Sequence, residues 1–175
     1  MIATASGLSD RYLWFVRGET RFAAAMDYLQ EVLPLPPLRS LPASDPSLAG
    51  LMVLRETILP VFDPQLLAGS TARERKASVS AVVLRLAGRP VFALIAEEVG
   101  QVVKLAAHPE KADSARIPAA FIGIVRSTNQ ARTLLLNVPQ FAALMGLAAS
   151  LPTVPSTIPL SVNQDTYNKK EICIN

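Results

Sequence analysis

Tyr12-Leu-Trp-Phe-Val-Arg-Gly18 and Arg21-Phe-Ala-Ala-Ala-Met26 are two short apolar runs with a polar turn between them. The pattern returns at an offset of 70 positions as Val82-Val-Leu-Arg-Leu-Ala-Gly88 and Val91-Phe-Ala-Leu-Ile-Ala96. Runs of about 5–7 residues that are rich in Val, Ile, Leu and Phe favour strands over helices. The glycine in each turn supplies the positive φ that a tight hairpin requires. Each pair of runs is therefore predicted to be a β-hairpin.

The repeat continues beyond the two hairpins. Gly50-Leu-Met-Val-Leu-Arg55 resembles Gly123-Ile-Val-Arg126, and an apolar run follows each of them. These later runs end in Asp63 and Asn137, and each polar residue precedes a short predicted helix. The helix of the second half is expected over Pro139–Ala149 with Asn137 as its cap. Five short antiparallel strands per half predict two small barrels packed together.

Composition limits the class of protein. The chain has 175 residues, of which 50% are hydrophobic and 18% charged, with a net charge of +3. Such a chain can bury a sizeable core and fits one domain or two small subdomains. It contains no apolar run of the roughly 18–20 residues that span a bilayer, and its first residues lack the order of a signal peptide. We therefore expect a soluble cytoplasmic protein without membrane insertion.

The residues that carry most catalytic and metal chemistry are scarce. The chain has one cysteine, Cys173, and one histidine, His108, which lies in a polar segment without a nucleophile signature. A single cysteine forms no internal disulfide, and the sequence holds no Cys/His cluster for zinc. Glycine-rich phosphate-binding motifs are also absent. We predict a protein that is not an enzyme and that has no metal and no cofactor.

Charge distribution bears on nucleic-acid binding. Arginines are scattered singly, and the one cluster that contains them is Arg73-Glu-Arg-Lys76, whereas nucleic-acid binders concentrate basic residues in a patch or stripe. The phenylalanines Phe15, Phe22, Phe62 and Phe92 lie in apolar runs and are expected in the core, as is Trp14. A small-barrel nucleic-acid-binding protein is the alternative from another functional class, but no nucleic-acid partner is expected.

Three segments fall outside the predicted barrels. The prolines of Leu33-Pro-Leu-Pro-Pro-Leu-Arg39 and Pro42 make the loop after the third strand extended and stiff. Residues 70–78 read as a solvated linker between the halves. Residues 151–175 form a proline-rich and then polar C-terminal tail, which we expect to be poorly ordered or to lie along the surface.

The order of the segments GETRFAAAMDYLQEV, GLMVLRETILPVFD, GRPVFALIAEEVGQVV, FIGIV and LLLNV resembles the CheW-like domain, from about Tyr12 to Gly146. Gly50–Asp63 carries the most specific part of this resemblance. The family is that of bacterial chemotaxis coupling proteins and of the regulatory domain of CheA histidine kinases. The resemblance implies a mainly β fold with two SH3-like five-stranded β-barrel subdomains that share a hydrophobic core, with short helices. The expected domain is 1–150, with halves of about 12–69 and 79–149 and an N-terminal strand that can be exchanged between barrels.

The implied function is that of a non-catalytic adaptor. The resemblance implies contacts with the regulatory domain of a CheA-type histidine kinase and with the cytoplasmic tip of a methyl-accepting chemoreceptor, in arrays under the inner membrane. Two alternatives stay within the family: a divergent protein of a type IV pilus or twitching pathway, and an array component that does not activate the kinase.

Four residues are the expected kinase and receptor interface. Arg55 occupies the arginine of the family's Leu-Arg-Gly motif, and Glu31 with Val32 occupies its Glu-Val pair. Arginine suits an interface because its planar guanidinium binds carboxylates bidentately while its stem covers apolar surface. Glu56 replaces the family's glycine, which predicts either a different turn or a partner that cannot approach as closely.

Overall fold

The fold consists of ten strands and three short helices in the computed structural model, which describes residues 10–42, 45–71, 78–104, 119–126 and 132–147. The strands of the first half are β1 (Arg11–Arg17), β2 (Thr20–Ala25), β3 (Leu29–Pro34), β4 (Leu48–Leu54) and β5 (Thr57–Phe62), with a 3-10 helix at Met26–Tyr28 and helix α1 at Pro64–Leu67. Those of the second half are β6 (Ser80–Leu86), β7 (Arg89–Ala96), β8 (Glu98–Lys104), β9 (Phe121–Arg126) and β10 (Arg132–Leu136), followed by helix α2 at Val138–Leu144.

The strands form two five-stranded sheets that are related by the repeat. Sheet 1 has the order β8-β1-β2-β10-β9 and sheet 2 the order β3-β6-β7-β5-β4. Adding five to the number of each first-half strand and subtracting five from that of each second-half strand converts one order into the other, as the sequence repeat predicts. Each sheet takes strands from both halves of the chain, because β8, β9 and β10 join sheet 1 while β6 and β7 join sheet 2. The predicted mainly β fold with two five-stranded units is confirmed. The expectation that all strands are antiparallel is wrong, because β2 pairs with β10 and β5 pairs with β7 in parallel.

The barrels differ in one respect from the expected closed form. Among the described residues, the outer strands of each sheet are not hydrogen-bonded to each other. The two edges of sheet 2 are instead connected by chain that leaves β3 and reaches β4, where Arg39 and Leu51 form an antiparallel bridge. This connection covers an edge that would otherwise expose unpaired backbone groups.

The two hairpin turns are built differently. Gly18 alone has positive φ in the β1–β2 turn (62°), whereas Ala87 and Gly88 both have it in the β6–β7 turn (49° and 76°). The pairing of Phe15 with Phe22 corresponds to that of Leu84 with Phe92, so the offset is 70 on the second strand of each hairpin but 69 on the first. A bulge between Leu84 and Arg85 accompanies this difference. The constant offset inferred from the sequence is therefore wrong by one residue on β6.

The buried hydrophobic side chains form two clusters. The inter-sheet cluster lies between both sheets and α2 and includes Leu13, Phe15, Phe22, Phe62, Val82, Leu84, Phe92, Leu94, Phe121 and Phe141. Within it, the Phe141 ring lies edge-to-face 4.6 Å from Phe92 and 5.0 Å from Phe62. The sheet-2 cluster contains Met52, Leu54, Leu59, Val61, Ala81, Val83, Ala93 and Ile95, with Leu33, Leu35 and Leu38 packed against it. The predicted core positions of Phe15, Phe22, Phe62 and Phe92 are confirmed.

Two smaller expectations need correction. Asn137 caps α2 as predicted, since its side chain accepts a hydrogen bond from the Gln140 N–H, but the helix ends at Leu144. Trp14 lies on the opposite face of β1 from Leu13 and Phe15, is only half-buried, and belongs to neither described cluster. The expectation of Trp14 as a core residue is therefore wrong for this part of the chain.

Candidate functional site

Arg55 lies in the tight turn that joins β4 to β5. Leu54 and Thr57 are the last paired residues of this hairpin, so Arg55 and Glu56 form the turn itself and both are exposed. Arg55 has a φ of 56°, which is left-handed backbone that a side chain other than glycine adopts at a cost of about 1–2 kcal/mol. Strained backbone of this kind is concentrated at functional sites.

Arg55 forms an ion pair with Glu31. Its Nη2 lies 3.3 Å from Oε1 of Glu31, with the two side chains 75% and 30% exposed. Glu31 is on β3, the opposite edge strand of sheet 2, so the pair brings the two edges of this sheet together. The contact lacks hydrogen-bond geometry, and Oε1 of Glu31 has no hydrogen-bond partner within the described part of the chain. An ion pair this exposed stabilises the fold by at most about 1 kcal/mol.

Val32 faces the other side of β3. Val32 pairs with Val82 of the inter-sheet cluster, whereas Glu31 pairs with Val83 of the sheet-2 cluster. Neighbouring residues of a strand point to opposite faces, so Val32 does not share the face of Glu31. Val32 is 38% exposed at the edge of the sheet. The structure thus brings Arg55 and Glu31 into contact but places Val32 on a different surface of the same strand.

Glu56, at the position of the glycine in the family motif, does not have positive φ. Among the described non-glycine residues, only Arg55 and Ala87 have positive φ, so Glu56 does not lie in the left-handed region. The turn therefore places its left-handed residue at Arg55, one position before the family's glycine.

Two exposed apolar side chains next to this turn were not singled out from the sequence. Val53 on β4 and Ile58 on β5 are register partners and are 60% and 65% exposed. Their neighbours Met52, Leu54 and Leu59 are buried in the sheet-2 cluster, so the alternation around the turn points Val53 and Ile58 outward. This alternation is the sequence feature from which the exposure of Val53 and Ile58 could have been predicted. We call Val53, Arg55 and Ile58 the hairpin face.

A second charged arrangement lies inside the molecule. The Arg17 side chain, 1% exposed, donates to both carboxylate oxygens of Asp63 from Nε, at 3.2 and 3.1 Å, and from Nη2 to one of them at 2.8 Å. Its Nη1 donates to Glu97. We call these three residues the charged clasp. Arg17 ends β1 of sheet 1, Asp63 follows β5 of sheet 2, and Glu97 follows β7 of sheet 2, so the clasp joins the two sheets.

The clasp is a structural arrangement and not reaction chemistry. Burial lowers the pKa of Arg17, but the hydrogen bonds and charges of Asp63 and Glu97 outweigh that effect and raise it overall, which keeps the guanidinium charged. Asp63 also caps α1 by accepting from the Gln65 N–H at 3.0 Å. These three residues were not predicted as a group, because 46 and 80 positions separate Arg17 from its partners.

The described residues offer few other chemical groups. Across residues 10–42, 45–71, 78–104, 119–126 and 132–147 there is no group of three His, Cys, Asp or Glu side chains that could hold a metal ion. None of the helices in these ranges has the length and apolar character needed to cross a membrane. His108, Cys173, the charged part of the linker at Arg73–Lys76 and the tail 151–175 lie outside the described residues.

Comparisons with known proteins agree with this architecture. Fifteen chains of solved structures match it, among them the scaffolding protein TtCheW from Thermoanaerobacter tengcongensis, with a TM-score of 0.60 and 19% identity, covering 72% of this chain and 87% of that chain. At this identity the likeness shows the fold alone. No protein of curated function matches the sequence. A family model for the CheW-like domain matches residues 11–144, which include all ten strands and both α-helices. The chain therefore belongs to the CheW-like domain family.

Proposed function

We propose that this chain is a non-catalytic adaptor of a bacterial chemosensory two-component system, which couples chemoreceptors to a CheA-type histidine kinase in the cytoplasm. The observation that carries the proposal is the hairpin face: two large apolar side chains, Val53 and Ile58, are exposed beside Arg55 on a two-stranded hairpin of a CheW-like domain. Apolar side chains exposed next to an arginine are the composition of a protein-binding surface.

The hairpin face suits the regulatory domain of the kinase. Val53 and Ile58 lose exposed apolar area on binding, and the Arg55 guanidinium can engage a partner carboxylate in two-point fashion. Glu31 and Val32 lie on opposite faces of the edge strand β3. We propose that one of these two faces contacts the receptor tip. Arrays under the inner membrane would need both contacts at once.

Binding to the kinase regulatory domain tests the proposal. We would measure it by calorimetry with the full chain and its Arg55→Ala, Ile58→Ser and Arg89→Ala variants. Arg89 is a matched control because it is an exposed arginine beside the turn of the other hairpin, β6–β7. We expect binding by the wild type and by Arg89→Ala, with at least tenfold weaker binding by the other two. A folded wild-type chain that does not bind the regulatory domain contradicts the proposal.

Glu56 supports a second candidate within the family, an array component that binds without activating the kinase. Its carboxylate adds negative charge at the tip of the hairpin face, where the family has a glycine. Kinase autophosphorylation in the presence of receptor separates the candidates. An adaptor raises the rate, whereas a non-activating component binds and leaves it low, and Glu56→Gly should then raise it. A type IV pilus or twitching pathway would be indicated by binding only to the kinase of that pathway.

The nucleic-acid alternative has less support. All six phenylalanines of the chain are buried, so none of them offers a stacking surface to bases. The half-buried Trp14 is already stacked by Arg21, whose guanidinium carbon lies 4.5 Å from the ring centre. Retention on immobilised nucleic acid that falls steeply with salt would favour this alternative.

A further inference from the structure

The segment Leu33-Pro-Leu-Pro-Pro-Leu-Arg39, which leaves β3, has a three-residue pattern of exposure. Pro34 and Pro37 are exposed, while Leu35 and Leu38 pack against the sheet-2 cluster. Pro34 ends β3, and Leu35–Leu38 have no regular secondary structure. Proline favours extended backbone of the polyproline II type, in which side chains three positions apart lie along one side. We call the exposed side, Pro34 and Pro37 followed by the exposed Arg39, the proline ridge.

Backbone contacts hold this segment at both ends. The Leu35 N–H donates to the Val79 carbonyl at 3.0 Å, and Arg39 exchanges two hydrogen bonds of 2.9 Å with Leu51 of β4. Gly50 permits the close approach, since a Cβ at that position would lie 2.8 Å from the Arg39 carbonyl oxygen. The proline rings fix φ between these anchors. These contacts restrict the conformation of the ridge before any partner binds.

We propose that the proline ridge docks in an aromatic-lined groove of a partner protein, with Arg39 reaching a carboxylate at the end of that groove. The exposed residues form the pattern Pro-x-x-Pro-x-Arg, and aromatic grooves bind such ligands by receiving proline rings at three-residue spacing. Preorganisation favours this partner, because an extended ligand that is already ordered loses little conformational entropy on binding. This inference is independent of the proposed kinase contact, since no residue of the ridge belongs to the hairpin face.

The test uses the full chain and, as the probe, a purified SH3 domain that selects Pro-x-x-Pro-x-Arg ligands. We would measure affinity by calorimetry for the wild type and for Pro37→Ala, Arg39→Ala, Pro42→Ala and Arg55→Ala. Pro42 is an exposed proline outside the three-residue register, and Arg55 is an exposed arginine of the hairpin face. We expect roughly tenfold weaker binding, equal to about 1.4 kcal/mol, for Pro37→Ala and Arg39→Ala, with the two controls unchanged.

Three further measurements control for folding, for the binding groove of the probe and for the preorganisation of the ridge. Melting temperatures of all variants establish that they are folded, and replacing the groove tryptophan of the probe should abolish binding. The segment 33–40 as a free peptide should bind more weakly than the chain, because the peptide must be ordered on binding. The proposal is overturned if the folded wild type does not bind the probe, or if Pro37→Ala and Pro42→Ala bind it equally well.

Discussion

The Arg17 guanidinium at the end of β1 makes a two-point contact with the Asp63 carboxylate that follows β5, and so connects sheet 1 to sheet 2. Nε and Nη2 both donate to Oδ2 of Asp63, at 3.1 and 2.8 Å, and neither residue is more than 5% exposed. Removing one partner of a buried ion pair leaves the other charge uncompensated, and this typically costs about 3–5 kcal/mol. This contact is therefore one of the interactions that hold the two sheets together, beside the inter-sheet cluster.

Asp63→Ala should be strongly destabilising. The change removes one of the two carboxylate partners of a buried cation and also the cap of α1, so we expect a loss of about 3–5 kcal/mol in the free energy of unfolding. Asp63→Asn should lose less, because an amide oxygen can still accept the Gln65 N–H. Urea denaturation of the three proteins measures the difference.

Asn137→Ala is the matched control for Asp63→Ala. Asn137 caps α2 as Asp63 caps α1, and its side chain accepts the Gln140 N–H at 3.2 Å. We expect about 1 kcal/mol for the loss of this cap. If Asp63→Ala is no more destabilising than Asn137→Ala, the charged clasp does not stabilise the fold.

A comparison of two Arg55 variants measures the strain at the hairpin turn. Both Arg55→Gly and Arg55→Ala lose the ion pair with Glu31, but only glycine adopts a φ of 56° without steric cost. Arg55→Gly should therefore be more stable than Arg55→Ala by about 1 kcal/mol, while both lose binding to the kinase domain. Equal free energies of unfolding for the two variants would show that this turn is not strained.

Much of the fold could be predicted because the repeated sequence features determine local structure. Glycines at the two hairpin turns, apolar runs of strand length and Asn137 before α2 each depend on residues that are neighbours in the chain. The exchange of strands between the two halves could not be predicted in this way, since it depends on which strand edges pair with each other. The sequence pattern contains no register for the contacts of β1 with β8 or of β2 with β10.

The charged clasp could not be predicted for the same reason. The repeat aligns Glu97 with Asp27, Asp63 with Asn137, and Arg17 with Leu86, so the second half has no matching arginine. A comparison of the two halves therefore gives no indication of the charged clasp. In the folded chain the clasp residues meet only because β1 lies in sheet 1 while β5 and β7 lie in sheet 2.

The phenol of Tyr12 makes stability depend on alkaline pH. Partial burial, with smaller contributions from the charges of Asp27 and Asp10, raises the pKa of Tyr12 above its usual 10.0. The unfolded chain therefore loses this proton first, and the stabilisation is fully present below about pH 10 and is lost as the pH rises through the raised pKa. Tyr12→Phe should remove this part of the alkaline decline.

Urea denaturation at pH 8 and at about pH 11 checks the Tyr12 prediction. Between these two values the wild type should lose more stability than Tyr12→Phe, with Tyr28→Phe as the control for removing a phenol elsewhere. The same loss in wild type and Tyr12→Phe would contradict it.

Gly100→Ala should reverse the usual effect of replacing glycine in a strand. Trp14 packs against Gly100 of the edge strand β8, and a Cβ at position 100 would lie 1.8 Å from the nearest indole atom. Alanine in a strand interior normally stabilises relative to glycine by about 0.5–1 kcal/mol. Here the displaced indole should make the change destabilising by about 1–3 kcal/mol, with an altered emission spectrum from the chain's one tryptophan.

A double-mutant cycle isolates this contact. In a Trp14→Ala background the ring is absent, so Gly100→Ala should become neutral or stabilising, and the two changes should be strongly non-additive. Gln101→Ala, an exposed neighbour on the same strand, should stay within about 0.5 kcal/mol in either background. An equal cost of Gly100→Ala with and without the indole would mean that the tryptophan does not shield this edge. If Gly100→Ala destabilises the wild type but stabilises the Trp14→Ala variant, the cost of the alanine is due to its contact with the indole.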